Sequence, residues 1–121
     1  MRHYPPCVGL CGVDPRLLHG TLNAMFLLAV VRFNAEAESV QKAHRLDRMA
    51  RAMGLKSGSD IAEAITEMNA HLGLPTGLAA MGVERGQFDH IIEGALAVHC
   101  HGTNPRIASV QDYEEMLGAS M

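Results

Sequence analysis

Between Thr21 and Phe33 apolar side chains occupy nearly every position: Ala24, Met25, Phe26, Leu27, Leu28, Ala29, Val30 and Val31 follow one another without interruption. Periodicity alone does not separate helix from strand in such a run, but its length and composition predict a helix, one that needs covering from more than one direction. Three later segments are periodic. Val40, Ala43, Leu46, Met49, Ala50 and Met53 recur at three- and four-residue steps and predict one helix over 39–53, closed by Gly54. Ser59 is the expected N-cap of a helix bearing Ile61, Ala64, Ile65, Met68 and Leu72, with Gly73 closing it and Pro75 preventing continuation. Phe88, Ile91, Ile92, Ala95 and Leu96 repeat the pattern over 87–98. After a break at 102–105, Ser109 caps a last helix with Val110, Tyr113 and Leu117 inward. No stretch alternates apolar and polar residues as a half-buried strand does, so the reading is all-α, with about five helices.

Residues 1–16 carry Pro5, Pro6, Gly9, Gly12 and Pro15 without a clear period and read as an irregular leader ahead of one helical domain over 17–121. A long apolar helix standing so close behind a loose leader looks like a piece of something larger. The opening has no apolar core of the kind a signal peptide needs. The apolar run from Ala24 to Val31 is far short of the roughly 20 residues that span a bilayer.

The chain has 121 residues, the size of one ordinary domain, and is 48% hydrophobic and 4% aromatic with no Trp, so its core is aliphatic. Its net charge of −3 leaves no basic surplus to neutralise phosphates or anionic lipid, which excludes nucleic acid and membrane surfaces as first readings. Three cysteines are too few and odd in number for a disulfide framework; beside eight methionines they indicate a reducing, cytoplasmic setting.

Among seven histidines, His19 is the most informative. It stands just before Gly20 and the apolar helix, where an imidazole either satisfies backbone groups at the helix start or points into a cleft as a ligand for a divalent metal. His99, Cys100 and His101 are consecutive and lack zinc-ligand spacing. His99 continues the face of 88, 91, 92, 95 and 96, which predicts a hydrogen-bonded core histidine. Cys100 reads as a small buried hydrophobe or as a residue lining a pocket. Cys7 and Cys11 have metal-like spacing without a second pair. His44, His71 and His90 fall among charged residues and are expected in solvent, as is the strip Arg45, Arg48 and Arg51. Residue chemistry alone builds no complete catalytic constellation here.

Two stretches resemble a known family. His19-Gly20-Thr21-Leu22-Asn23-Ala24, running on to Arg32-Phe33-Asn34-Ala35, is similar to the H-G-x-x-N-A…R-[FY]-N-A signature of iron-containing (group III) alcohol dehydrogenases. Leu72-Gly73-Leu74-Pro75, Met81-Gly82-Val83 and Cys100-His101-Gly102-Thr103-Asn104-Pro105-Arg106 resemble the carboxyl-terminal third of that family, in order and spacing, over residues 17–121. The resemblance implies the helical second domain of a two-domain enzyme that transfers hydride between small alcohols or aldehydes, hydroxy acids included, and NAD(P). The other domain of the family holds the nucleotide, and iron or zinc lies in the cleft between the two. It also implies that His19 stands at the last metal-ligand position and that Cys100 lines the cleft near the cofactor. The D-x-x-x-H pair of the family is absent, and its H-x-x-x-H histidines fall at Pro5 and Gly9, which cannot ligate through side chains. With the nucleotide domain missing as well, this chain alone is expected to be inactive. A helix apolar on every side implies a homo-oligomer or a partner subunit.

Overall fold

Residues 18–121 are described by the computed structural model. The leader at 1–16, with Pro5, Cys7, Gly9 and Cys11, lies outside the described residues. Six α-helices are found among them: α1 (His19–Ala35), α2 (Glu38–Lys42), α3 (Arg45–Ala52), α4 (Ile61–His71), α5 (Phe88–Ala97) and α6 (Val110–Ala119). Short 3₁₀ turns precede α4 and α5, and another links α5 to the last loop. The fold is all-α.

The apolar helix α1 organises the rest. Leu22, Phe26 and Val30 form a buried stripe at four-residue spacing. Around them gather Leu78, Val83, Phe88, Ile91, Ile92, Ala95, Tyr113, Met116 and Leu117, with Met25, Ala29 and Phe33 of α1 at the margin. Leu27 and Val31 leave α1 on another side, against a second, smaller core of Ala50, Ile61 and Ile65. A residue such as Phe26 or Leu22, fully buried, stabilises the fold by roughly 1.5–3 kcal/mol. One helix therefore separates two cores, which explains why its sequence shows so little polar relief.

Helix ends follow backbone chemistry. Gly54 and Gly73 stand at φ +76° and +66°, a region closed to most side chains. After each the chain turns back on the helix it has left: Leu55 N–H donates to Ala50 O at 2.8 Å and Leu74 N–H to Asn69 O at 3.0 Å. Ser109 caps α6 as expected, in a reciprocal box with Asp112.

Four expectations are corrected. The helix expected over 39–53 is two helices, broken at His44, whose φ of +46° is left-handed. The break lets Val40 bury beside α1 while Ala50 turns into the second core; one straight helix would not place both. The cap ahead of α4 is Ser57, not Ser59: Ser57 and Asp60 form the reciprocal box, and a 3₁₀ turn intervenes before Ile61. In α6 the inward residues are Tyr113, Met116 and Leu117, whereas Val110, in the first turn, is exposed. His99 is exposed rather than core, because α5 ends at Ala97 and Val98 turns to ψ +142°, so the face of α5 does not continue to it.

Candidate functional site

His19 is the first residue of α1, and its side chain is partly buried. Leu18 precedes it in extended conformation and makes no side-chain cap, its carbonyl accepting from Leu22 N–H at 3.0 Å. One turn further on stands Asn23, whose Oδ1 is buried and accepts no hydrogen bond.

Cys100 lies on the 3₁₀ turn His99–Thr103 and is half-buried. Its Sγ is 3.5 Å from His99 Nε2, and Thr103 Oγ1 donates to its carbonyl at 2.9 Å. His101, next in sequence, turns inward, with Nδ1 2.9 Å from the hydroxyl of buried Tyr113. Burial pushes the Tyr113 phenol up to about 12, so it stays protonated at neutral pH, and the hydroxyl and the imidazole share one hydrogen bond.

At the close of α1 the two resembling stretches meet. Asn34 and Asn104 bond side chain to side chain, and Arg106 lies over the Phe33 ring, 4.1 Å from its centroid. The guanidinium also reaches Glu36 at 2.7 Å and Asp112 at 3.5 Å. The Asp112 carboxyl is held below its usual range, first by the Ser109 backbone N–H, then by the Ser109 hydroxyl, with Arg106 adding to both. Beside this cluster a groove of about 260 Å³ runs between α1 and α6, lined by Met25, Leu28, Arg32, Arg106, Glu115 and Met116 among others.

The structure thus brings the Cys100 turn to the closing end of α1 and to α6. His19 opens the same helix, roughly 22 Å away along the axis at 1.5 Å per residue. Among the described residues no three His, Cys, Asp or Glu side chains converge in a way that could hold a metal ion. His19 offers one imidazole; the described residues do not make the whole of such a site. His44, His71 and His90 are exposed as expected, as are Arg45, Arg48 and Arg51. Sequence reasoning missed Tyr113 as the partner of His101 and Asn23 as an unsatisfied acceptor. For Asn23 the available signal was a single amide side chain within an otherwise apolar run.

Comparison with known proteins matches residues 11–121 to the model of the Fe-containing alcohol dehydrogenase family, C-terminal. A 4-hydroxybutyrate dehydrogenase of Cupriavidus necator is 54% identical over 105 residues, which cover 87% of this chain and 28% of that protein. An NAD-dependent methanol dehydrogenase of Bacillus methanolicus is 29% identical over 106 residues, 84% of this chain and 28% of its own length. Among solved structures, a 1,3-propanediol oxidoreductase superposes with a TM-score of 0.85 at 26% identity, covering 99% of this chain and 32% of that one. The chain therefore spans about a third or less of the proteins it matches.

Proposed function

Because the chain belongs to the iron-containing alcohol dehydrogenase family through its carboxyl-terminal domain, we propose that it supplies the helical half of an NAD(P)-linked oxidoreductase acting on a small alcohol, aldehyde or hydroxy acid. The observation that carries this reading is the 54% identity to a 4-hydroxybutyrate dehydrogenase across 87% of the chain, which favours a hydroxy acid within that class. In an intact enzyme of this kind the cofactor performs the hydride chemistry, and a bound iron or zinc supplies Lewis acidity. Two residues of this chain are assigned to the site. His19 would hold the metal with side chains from outside the described residues. Cys100, half-buried on a turn braced by Thr103, Asn104 and Tyr113, would line the cofactor side of the cleft. Asn34, Asn104 and Arg106 hold that turn to α1.

The described residues offer His19 as one such ligand, and the chain spans 28% of the 4-hydroxybutyrate dehydrogenase it resembles, so the 121-residue protein on its own is expected to be inactive. Purified protein supplied with iron, NAD⁺ and 4-hydroxybutyrate should give no turnover above a protein-free blank. Turnover that follows the 13 kDa species through gel filtration would overturn this part of the reading.

A second reading is favoured by exposed apolar side chains: Leu18 is 71% accessible, Leu72 68% and Met68 47%. Here the chain acts without catalysis, through association with copies of itself or with a partner subunit. A sedimenting monomer with a sharp thermal transition would contradict it.

A further inference from the structure

The second core is small: Ala50, Ile61 and Ile65 are its buried members, and α3 and α4 supply them. The stripe of α4 that begins with Ile61 and Ile65 runs on through Met68 and Leu72 at helical spacing, yet these two are 47% and 68% exposed. On α3, Met49 and Met53 are one turn apart and both exposed. Charge divides between the same two helices. α3 exposes Arg45, Arg48 and Arg51, and α4 exposes Glu63 and Glu67. Among the described residues none of these five side chains has an ion-pair partner. Asp47, one turn before Arg51, takes the Gly58 N–H instead, at 3.0 Å. Neighbouring helices of opposite charge are thus left unneutralised by one another within a single chain. Counted with Asp47, the two helices have no surplus of either sign, whereas the whole chain carries −3, so this face can meet its own copy without net repulsion.

We propose that α3 and α4 form the contact surface for a second copy of this chain, related by a two-fold axis, with α3 of each copy against α4 of the other. Such an axis brings an arginine face to a glutamate face twice and covers the exposed methionines and Leu72 on both copies. It is the isologous arrangement, in which a self-complementary patch closes on itself. This commits the association reading above to one partner and one surface, and rests on that reading. Helices of 8 and 11 residues are about 12 and 16 Å long, a face at the small end of stable interfaces. The dimer is therefore of micromolar affinity, and salt weakens it.

The test is sedimentation velocity of the full 121-residue chain over a concentration series, with Arg48→Glu and Glu67→Arg run alone and as an equimolar mixture. Wild type is expected to pass from monomer to dimer across the micromolar range. Each variant alone sets like charge against like and should need at least about tenfold higher concentration to dimerise. The mixture should recover the wild-type affinity, because the introduced acid of one variant meets the introduced base of the other while native Arg48 and Glu67 meet as before. Both side chains are exposed, so the variants should melt within a few degrees of wild type. Raising salt from about 50 to 500 mM should weaken the wild-type dimer, a check that needs no substitution. A wild-type chain that stays monomeric overturns the proposal and the association reading together. Association that neither substitution nor salt moves, or a mixture no tighter than its parts, leaves that reading standing and overturns the proposed surface. Failure of the dehydrogenase reading shows separately, as loss of turnover in a hybrid enzyme.

Discussion

Asn34 and Asn104, seventy positions apart, exchange two hydrogen bonds: Asn104 Nδ2 donates to Asn34 Oδ1 at 2.7 Å, and Asn34 Nδ2 returns one to Asn104 Oδ1 at 3.1 Å. Asn104 also donates to Arg106 O at 2.6 Å. The pair ties the close of α1 to the 99–106 segment with a reciprocal clasp. It explains why R-F-N-A and T-N-P-R, read separately along the chain, belong together.

Removing one member breaks both bonds of the clasp: without Asn104 the Asn34 amide is left part-buried with no partner, and without Asn34 the Asn104 carbonyl oxygen loses its donor while its Nδ2 keeps Arg106 O. Asn34→Ala and Asn104→Ala should each cost about 1–3 kcal/mol in chemical denaturation. The double variant should cost clearly less than the sum, since the second change removes a group already orphaned. Strict additivity would show that the two amides do not act on each other.

Stability should fall at high pH through Tyr113. Its phenol is raised from 10.0 to about 12 in the folded state, so the folded protein holds this proton more tightly than the unfolded chain. That contribution is complete below about pH 10 and is lost as pH rises toward 12. Tyr113→Phe should flatten this alkaline limb while losing the bond to His101, about 1 kcal/mol at neutral pH. Alkaline denaturation curves of the two proteins make the comparison, and parallel curves would contradict the assignment.

Asp112 acts at the opposite end of the scale. Its folded-state carboxyl is lowered, mainly by the Ser109 N–H, so its contribution is present above the ordinary carboxylate range near 3.8 and disappears as pH falls through the depressed value. Asp112→Asn should therefore be less stable than wild type at pH 7, with the gap closing in acid. A gap of constant size from pH 7 to 2 would exclude this origin.

The capping assignment ahead of α4 separates two serines that look alike in sequence. Ser57→Ala breaks the reciprocal box with Asp60 and should cost about 0.5–2 kcal/mol. Ser59→Ala, on the exposed side of the turn, should stay within about 0.5 kcal/mol. A larger loss at Ser59 would restore the cap that spacing alone suggests.

What the sequence could not convey is specific. Hydrophobic spacing sufficed for α4, α5 and α6, because each buries a stripe whose period is local, whereas α1 was legible from the length and composition of its apolar run. It failed at His44, where no glycine or proline marks the break; the turn exists to bury Val40 and Ala50 against different neighbours, which is tertiary information. It failed at His99 because the end of α5 is set by Val98 turning extended rather than by any residue that cannot be helical. The ordered motifs were legible, and they match the family over residues 11–121. That Asn34 grips Asn104, or that Tyr113 holds His101, depends on approach in space between positions that no periodicity links.

The central claim, that this chain is the helical half of a dehydrogenase, is tested most directly by exchange. Residues 17–121 would replace the matching carboxyl-terminal part of the Cupriavidus necator 4-hydroxybutyrate dehydrogenase, where 54% identity makes the junctions compatible. The hybrid should oxidise 4-hydroxybutyrate with its nicotinamide cofactor, and His19→Ala in the hybrid should lose at least about a hundredfold in kcat/KM, more than 2.7 kcal/mol of transition-state stabilisation. A hybrid that folds and assembles like the parent enzyme yet gives no turnover, or one whose His19→Ala form is as active as the hybrid itself, would contradict the account.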